Sequence, residues 1–389
     1  MRIKQKETAD RINRAYYQLL SLFLLLFTGF IGSSCTKSAK EKSNVDYNTI
    51  CFYYNWYKNV ETDGYLSHWT HKIAPTPGKA GSQESISGLN GDIACNFYPE
   101  LGTYSSNDRA TIAKHMAMLA TARIGVLSLT WWGERDIDNK SVPIIMEEAS
   151  KVGIKVCFHI EPFEGRSPQT TFDNIKYLID TYGNHEAFYK INNKPVFFIY
   201  DSYLISAAEW ATLLDAKGSI SIRNTKYDSI FIGLFVKEGE EDYFLTSGFD
   251  GFYTYFGATD FTYGSSPTNW KYLEEWANKN NKIFIPSVGP GYIDTRIRPW
   301  NDNTTRSRED GKYYDDMYQA AINSGARYIS ITSFNEWHEG TQIEPAIPFK
   351  CDEFTYLDYG HLKPDYYLTR TAYWVGKFEQ QEKQVKQQQ

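Results

Sequence analysis

The sequence predicts an α/β protein built as a single-domain (β/α)8 (TIM) barrel with long βα loops. Eight short runs rich in β-branched and aromatic residues recur along the chain, and amphipathic stretches of helical period separate them. No G-x-G-x-x-G follows the first run, as an open dinucleotide-binding sheet would require. Eight strands with helices between them favour a closed barrel over a doubly wound sheet.

The strand candidates are Thr49 to Tyr54, Gly125 to Thr130, Lys155 to His159, Val196 to Tyr200, Ser229 to Leu234, Gly251 to Thr254, Ile283 to Ser287 and Tyr328 to Thr332. Helices are expected at Asp108 to Arg123, with Ile112, Met116, Leu119 and Ala120 on one face, and at Pro143 to Val152, Thr171 to Tyr182, Ser206 to Ala216, Thr268 to Asn280 and Lys312 to Ser324. Several begin at Ser, Thr or Asp and stop at Gly or Asn, the residues that satisfy free helix ends. The link after the fifth strand holds only a short candidate, Glu240 to Thr246, and a last helix near Pro364 to Gln384 would close the barrel. Long loops rich in Gly, Pro, Trp and polar residues follow the first strand (Asn55 to Asn107) and the seventh (Val288 to Gly311). Barrel enzymes build their active face from such loops.

Residues 1–35 read as a lipoprotein signal peptide. Basic residues (Arg2, Lys4, Lys6, Arg11, Arg14) precede an apolar run from Leu19 to Ile31 that is too short to span a bilayer comfortably, and Gly32-Ser33-Ser34 then lead to Cys35, the expected lipidation site. Gly32 stands where the lipoprotein box usually has Leu, which leaves an ordinary signal peptide or an uncleaved anchor as the competing readings. Residues 36–46 are small and charged, as a flexible tether would be. The catalytic domain is expected over 47–380, with a frayed Gln-rich tail at 381–389. The expected location is the outer membrane of a Gram-negative-type bacterium, held through the lipid.

A net charge of -6 and the lack of a basic tract after the N-terminus argue against nucleic acid as a partner. Aromatic residues make up 16%, with 30 Tyr and 10 Trp, more than a core requires, and such rings suit stacking on sugar faces. Cys51, Cys95, Cys157 and Cys351 have no metal or redox spacing, and Cys51 and Cys157 lie in apolar runs as buried thiols would, although one disulfide stays open. His159, His338, Glu161 and Glu164 match no metal motif, so neither metal nor other cofactor is expected. There is no G-x-S-x-G elbow for serine hydrolysis.

Polar and aromatic residues crowd the ends of five strands: Tyr53-Tyr54-Asn55-Trp56-Tyr57, Trp131-Trp132-Gly133, His159-Ile160-Glu161-Pro162, Tyr253-Thr254-Tyr255-Phe256, and Thr332-Ser333-Phe334-Asn335-Glu336-Trp337-His338-Glu339-Gly340-Thr341-Gln342-Ile343-Glu344-Pro345. Glycosidic cleavage needs one carboxylic acid to protonate the leaving oxygen and a second carboxylate as nucleophile or base. Glu336 and Glu339 are three apart after a strand, so one helical turn would aim both at the same face.

These segments together resemble glycoside hydrolase family 99, the endo-α-mannosidases and bacterial endo-α-1,2-mannanases, with a likeness that runs from Tyr53 to Pro345. The resemblance implies endo-cleavage of α-1,2-mannosidic bonds with retention of configuration and without metal. It implies that Glu336 acts as base on the sugar's own 2-hydroxyl, giving a 1,2-anhydro sugar, and that Glu339 serves as acid/base toward the leaving oxygen. Substrate contacts are then expected from Tyr53, Tyr54, Trp131, Trp132, His159, Glu161, Tyr255, Asn335, Trp337 and His338, without deciding which Trp of the pair touches sugar. The partner implied is α-mannan or a mannose-containing oligosaccharide, bound by a monomer. Two other readings stay open on the residues alone: a retaining barrel glycosidase with an ester-forming nucleophile such as Glu161, and a non-catalytic surface protein that binds glycan through its aromatics.

Overall fold

The computed structural model describes residues 44–79 and 84–388. The expected signal peptide, Cys35 and the tether up to residue 43 lie outside the described residues. Nine parallel strand segments form a nearly closed barrel: β1 (Asp46–Tyr53), β2 (Ile124–Trp131), β3 (Lys155–Ile160), β4 (Lys194–Ile199), β5 (Ile230–Leu234), β6 (Gly251–Tyr253), β7 (Ile283–Ile285), β8 (Ser287–Val288) and β9 (Ile329–Ile331). Their order around the sheet is β7-β6-β5-β4-β3-β2-β1-β9-β8. Cys51 of β1 pairs with Leu127 on one side and Ile331 on the other.

β7 and β8 are two halves of the seventh barrel strand, divided at Pro286. β7 pairs only with β6 (Phe252 with Phe284) and β8 only with β9 (Ser287 with Ser330). Proline has no N–H to give a ladder, and the next amide, that of Ser287, donates to the Thr254 side chain at 2.9 Å rather than to a backbone carbonyl. Continuity of the chain through Pro286 therefore completes the ring.

A helix follows each barrel strand: α1 (Arg109–Thr121), α2 (Val142–Val152), α3 (Pro168–Tyr182), α4 (Ala207–Leu214), α5 (Glu241–Thr246), α6 (Trp270–Lys279), α7 (Lys312–Ser324) and α8 (Tyr366–Gln388). Their ends are satisfied locally. Asp108 accepts from the amides of Ala110 and Thr111, Ser167 and Ser206 form capping boxes, and Gly153 and Gly325 stop α2 and α7 in the left-handed conformation. α8 runs on to Gln388, through the stretch expected to fray, because Gln, Glu and Lys are good helix formers.

The barrel is filled with rings. Phe52 packs against His159, Phe198, Tyr253 and Tyr255 with centroids 4.8 to 5.7 Å apart, and all eight residues of β2 are buried. Residues that alternate with these point outward under the helices. Cys51, Cys95, Cys157 and Cys351 are free thiols, the first three of them buried.

Candidate active site

The loops after β1, β2, β3, β4, β6, β8 and β9 enclose one cavity of about 390 Å³ at the C-terminal mouth of the barrel. Of the residues singled out in the sequence, Tyr54, Trp132, His159, Glu161, Tyr255, Glu336, His338 and Glu339 line it. Tyr53, Trp131, Asn335 and Trp337 do not. A larger hollow of about 570 Å³ behind the same β9 loop is bounded by Arg308, Tyr359 and Gly340. It holds none of the strand-end carboxylates, and its Arg308 lies over the rings of Phe97, Tyr359 and Tyr367 while donating to the carbonyls of Gly340 and Gln342, which fits a scaffold role.

The loop that carries the two carboxylates is not the helical turn expected from their spacing. Three side chains take up the amides ahead of the turn: Ser333 Oγ accepts from Glu336 N (2.8 Å), Tyr57 Oη from Trp337 N (3.2 Å), and the Glu336 carboxylate itself from His338 N (3.1 Å). The chain then turns through Gly340, whose amide donates to Trp337 O at 3.3 Å. Glu336 and Glu339 still open into the same cavity.

A buried polar network fixes this loop from behind. Asn335 accepts from Tyr54 N and donates to Tyr54 O, both at 2.8 Å, a two-bond clamp onto the end of β1. Trp337 donates its indole N–H to Glu344 Oε2 (3.0 Å), and Tyr104 donates to the same oxygen (2.8 Å). His115 of α1 bridges Glu344 Oε1 (3.1 Å) and the Tyr53 hydroxyl (2.8 Å). All are buried. Tyr53 and Trp337 thus support the site through a polar network rather than by facing a ligand. Trp131 likewise faces outward, donating to Asn174 of α3 at 2.9 Å and stacking on Tyr177 at 5.8 Å, while its neighbour Trp132 is about one-third exposed at the cavity mouth.

Electrostatics favour an acid/base pair. Burial and the neighbouring Glu339 push Glu336 well above the usual carboxylate range, against the pull of the His338 amide and Arg298. Burial raises Glu339 to about 6, with Arg298 opposing the rise. Two carboxyl groups so placed share charge, so one tends to hold a proton while the other is ionised. His338 donates from Nε2 to the carbonyl of His68 at 2.5 Å, and burial together with His68 and His71 lowers it to about 3, so the ring beside Glu336 is neutral at working pH.

The opposite wall is prearranged. Glu161 accepts from Thr130 (2.6 Å) and His159 Nδ1 (3.0 Å), and His159 Nε2 accepts from the Tyr253 hydroxyl (2.6 Å). Tyr255 sits at φ 51°, uncommon for a non-glycine residue. Its amide donates to Ser287 Oγ at 2.7 Å, its carbonyl accepts from Thr332, and its hydroxyl is hydrogen-bonded to that of Tyr54. Among the described residues no group of three or more His, Cys, Asp or Glu is placed to hold a metal ion.

A family model described as glycosyl hydrolase family 99 matches residues 44–380. The chain belongs to glycosyl hydrolase family 99. It is 47% identical over 354 residues to the glycoprotein endo-alpha-1,2-mannosidase of Mus musculus, covering 87% of this chain and 76% of that protein. It is also 47% identical to the glycoprotein endo-alpha-1,2-mannosidase-like protein of Homo sapiens, covering 86% and 76%. The solved structure of a GH99 endo-alpha-mannosidase from Bacteroides thetaiotaomicron superposes with a TM-score of 0.86 at 66% identity, covering 87% of this chain and 99% of that one. This family 99 chain is therefore an endo-acting glycoside hydrolase on a (β/α)8 barrel.

Trp56, from the segment singled out after β1, also lines this family 99 site, whereas several other lining residues lie outside the segments singled out in the sequence: His68 and His71 from the loop after β1, Tyr200 after β4, and Ile297 and Arg298 from the loop after β8. Tyr200 had a usable signal, since it directly follows a strand. The others come from long loops with no period to say which side chain turns inward.

Proposed function

We propose that this enzyme cleaves internal α-1,2-mannosidic bonds of yeast-type α-mannan or mannose-rich N-glycans, with retention, through a 1,2-anhydro sugar. The observation that carries the reading is a pair of carboxyl groups, Glu336 buried and Glu339 partly exposed, facing one cavity with both proton affinities raised. The names of the relatives, endo-alpha-1,2-mannosidases, supply the bond.

Glu336 takes the proton of the substrate 2-hydroxyl as that oxygen attacks C1, and Glu339 gives its proton to the glycosidic oxygen as the C1–O bond breaks toward the leaving sugar. Water then attacks C1 and yields its proton to Glu339, while the opening O2 regains the proton held by Glu336. In the empty cavity burial favours the proton on Glu336. A sugar hydroxyl donating to Glu336 favours its charged form, so substrate binding itself drives the proton toward Glu339. Glu161 already accepts two hydrogen bonds on one oxygen, which suits orienting a sugar hydroxyl better than forming an ester. Mass and NMR analysis of products from yeast mannan and from a glucosylated mannose glycan tests the reading. Oligosaccharides released with initial α configuration are expected; single mannose units or inverted products would sink it.

The same proposal covers placement. Gly32-Ser33-Ser34 before Cys35 and the charged segment after it support export and lipid anchoring of a monomer at the outer membrane. Mass analysis of the mature N-terminus is expected to show a lipid on Cys35, and an unmodified mature chain beginning elsewhere would contradict it. Size-exclusion chromatography of the soluble domain is expected to show a monomer.

A further inference from the structure

We propose that Arg298 is a positioning residue for the acid/base step, holding Glu339 so that the negative charge it acquires on giving up its proton is met by a fixed guanidinium, with Asp294 setting the position of that guanidinium. The inference rests on the reading of Glu339 as the group that protonates the leaving oxygen.

The geometry comes from the loop after β8. Asp294 is fully buried, and its Oδ2 gathers three donors: the Tyr292 hydroxyl at 3.0 Å, Arg298 Nη1 at 2.9 Å and the Asn301 amide at 2.9 Å. The carbonyl of the same residue accepts from the amides of Ile297 and Arg298, closing a turn that brings the Arg298 side chain back over its own anchor. The loop is pinned to the catalytic segment, because Ile293 N donates to Glu339 O at 2.8 Å. It is pinned to the β1 loop as well, where Ala74 N donates to Ile297 O and Trp300 donates its indole N–H to Ala74 O. The outcome is Arg298 Nη1 at 3.6 Å from Glu339 Oε1, on the cavity wall.

Charge around Glu339 is otherwise unfavourable to its ionised form. From its own loop it faces Glu336 and the neutral His338; from the end of β3 it faces Glu161; and from its new neighbour loop it faces Asp294. The phenols of Tyr54, Tyr200, Tyr255 and Tyr292 that border it are all held protonated by burial. His68 and His71 line the far side, and burial lowers His68 to about 4. Arg298 is the cation that faces this carboxylate, and Glu339 and Asp294 together more than offset the burial that works against its charge. A proton donor in such surroundings would be a weak acid without a cation in place, because the carboxylate left behind would be isolated among like charges and apolar rings. A cation held by Asp294 needs no reorganisation at the moment of transfer, which is how fixed charges lower a barrier.

The leaving group makes the test specific. Protonation of the leaving oxygen matters for a sugar alkoxide and hardly at all for fluoride or an acidic phenol. Arg298→Gln is expected to lower kcat/KM on an α-1,2-linked mannose oligosaccharide by about ten- to hundredfold, yet to stay within about threefold of the parent on the matching glycosyl fluoride. Loss of the cation raises the proton affinity of Glu339, so the alkaline limb of kcat on the oligosaccharide, which reports the substrate complex with the proton on Glu339, is expected to move up by about one pH unit. Arg298→Lys, which keeps charge and bulk, is expected to retain the parent limb. An unmoved limb in R298Q, an equal loss on both leaving groups, or a limb in R298K displaced as far as that in R298Q would overturn the proposal. Glu339→Gln measured alongside separates the two levels. If E339Q loses as much on the fluoride as on the oligosaccharide, the acid assignment is what fails; if E339Q spares the fluoride while R298Q leaves the limb in place, only the role of Arg298 fails.

Discussion

The indole N–H of Trp337 donates to Glu344 Oε2 at 3.0 Å, so the loop after β9 closes on itself across seven residues. Glu336 sits at the edge of that closure, one residue before Trp337, and its amide is taken up by Ser333. The position of the carboxylate is therefore decided by side chains that do not line the cavity, and these bear on stability as well as on catalysis.

Replacing Glu344 by Ala removes the acceptor shared by three buried partners, the Trp337 indole, the Tyr104 hydroxyl and His115, and leaves the Tyr104 O–H without the partner it donates to. A buried donor left unpaired costs about 1–3 kcal/mol. Urea unfolding of Glu344→Ala is expected to show a loss in that range or beyond it, with kcat reduced because the loop is no longer held. Glu344→Gln keeps an acceptor for the indole and is expected to lose much less.

Trp131 and Trp132 should separate cleanly when each is changed to Ala. Trp131 is buried between the sheet and α3, so Trp131→Ala is expected to cost about 3–5 kcal/mol of stability, read as a fall in the unfolding midpoint. Trp132 lies at the mouth of the cavity, and Trp132→Ala is expected to leave the midpoint nearly unchanged while weakening oligosaccharide binding by calorimetry. The reverse pattern would remove Trp132 from the binding site.

Those two residues also show where the sequence is legible and where it stops. The barrel could be read because eight β-branched and aromatic runs alternate with capped amphipathic stretches, and every strand was found within a few residues. Tyr53-Tyr54 and Trp131-Trp132 could not be resolved, because adjacent strand residues face opposite sides and a register error of one residue exchanges them. In both pairs the second residue enters the cavity and the first goes under a helix. The i,i+3 spacing of Glu336 and Glu339 suggested a helical turn, yet both reach the same cavity without one, since the Gly340 amide bonds Trp337 O rather than Glu336 O. Arg298, His68 and His71 were invisible, as their place depends on how two long loops fold against each other.

Stability should depend on pH through the same carboxyl pair. Both groups bind protons more tightly in the folded chain than in the unfolded one, where a Glu titrates near 4.5. The folded form therefore holds more protons between the two values, and stability falls as pH rises from about 4.5 through about 6. Glu339→Gln removes this cost. It is expected to melt at a higher temperature than the parent above pH 6, by on the order of 1–2 kcal/mol, with the gain shrinking toward pH 4.5. The same variant is expected to lose about 10²- to 10⁴-fold in turnover of an unactivated substrate. A melting point that does not change relative to the parent across that range would mean Glu339 is not strained by its surroundings.

Gly340 is the residue through which backbone geometry reaches the chemistry. It follows Glu339 directly and sits at φ 62°. A Cβ there would lie 2.6 Å from Ile293 Cγ2 and 2.8 Å from Ile293 O, closer than real Cβ atoms approach. Ile293 cannot easily retreat, since its own amide donates to Glu339 O at 2.8 Å and its loop carries Asp294 and Arg298. Gly340→Ala must then move the turn, the Ile293 loop or both, and either motion alters the 3.6 Å approach of Arg298 to Glu339. The expected cost in stability is about 1–3 kcal/mol. Because the cavity wall of Glu161, His159 and Tyr255 is built on other strands, binding of a non-hydrolysed oligosaccharide is expected to change little while kcat falls. Equal losses in binding and turnover would show instead that the turn at Gly340 shapes the cavity as a whole.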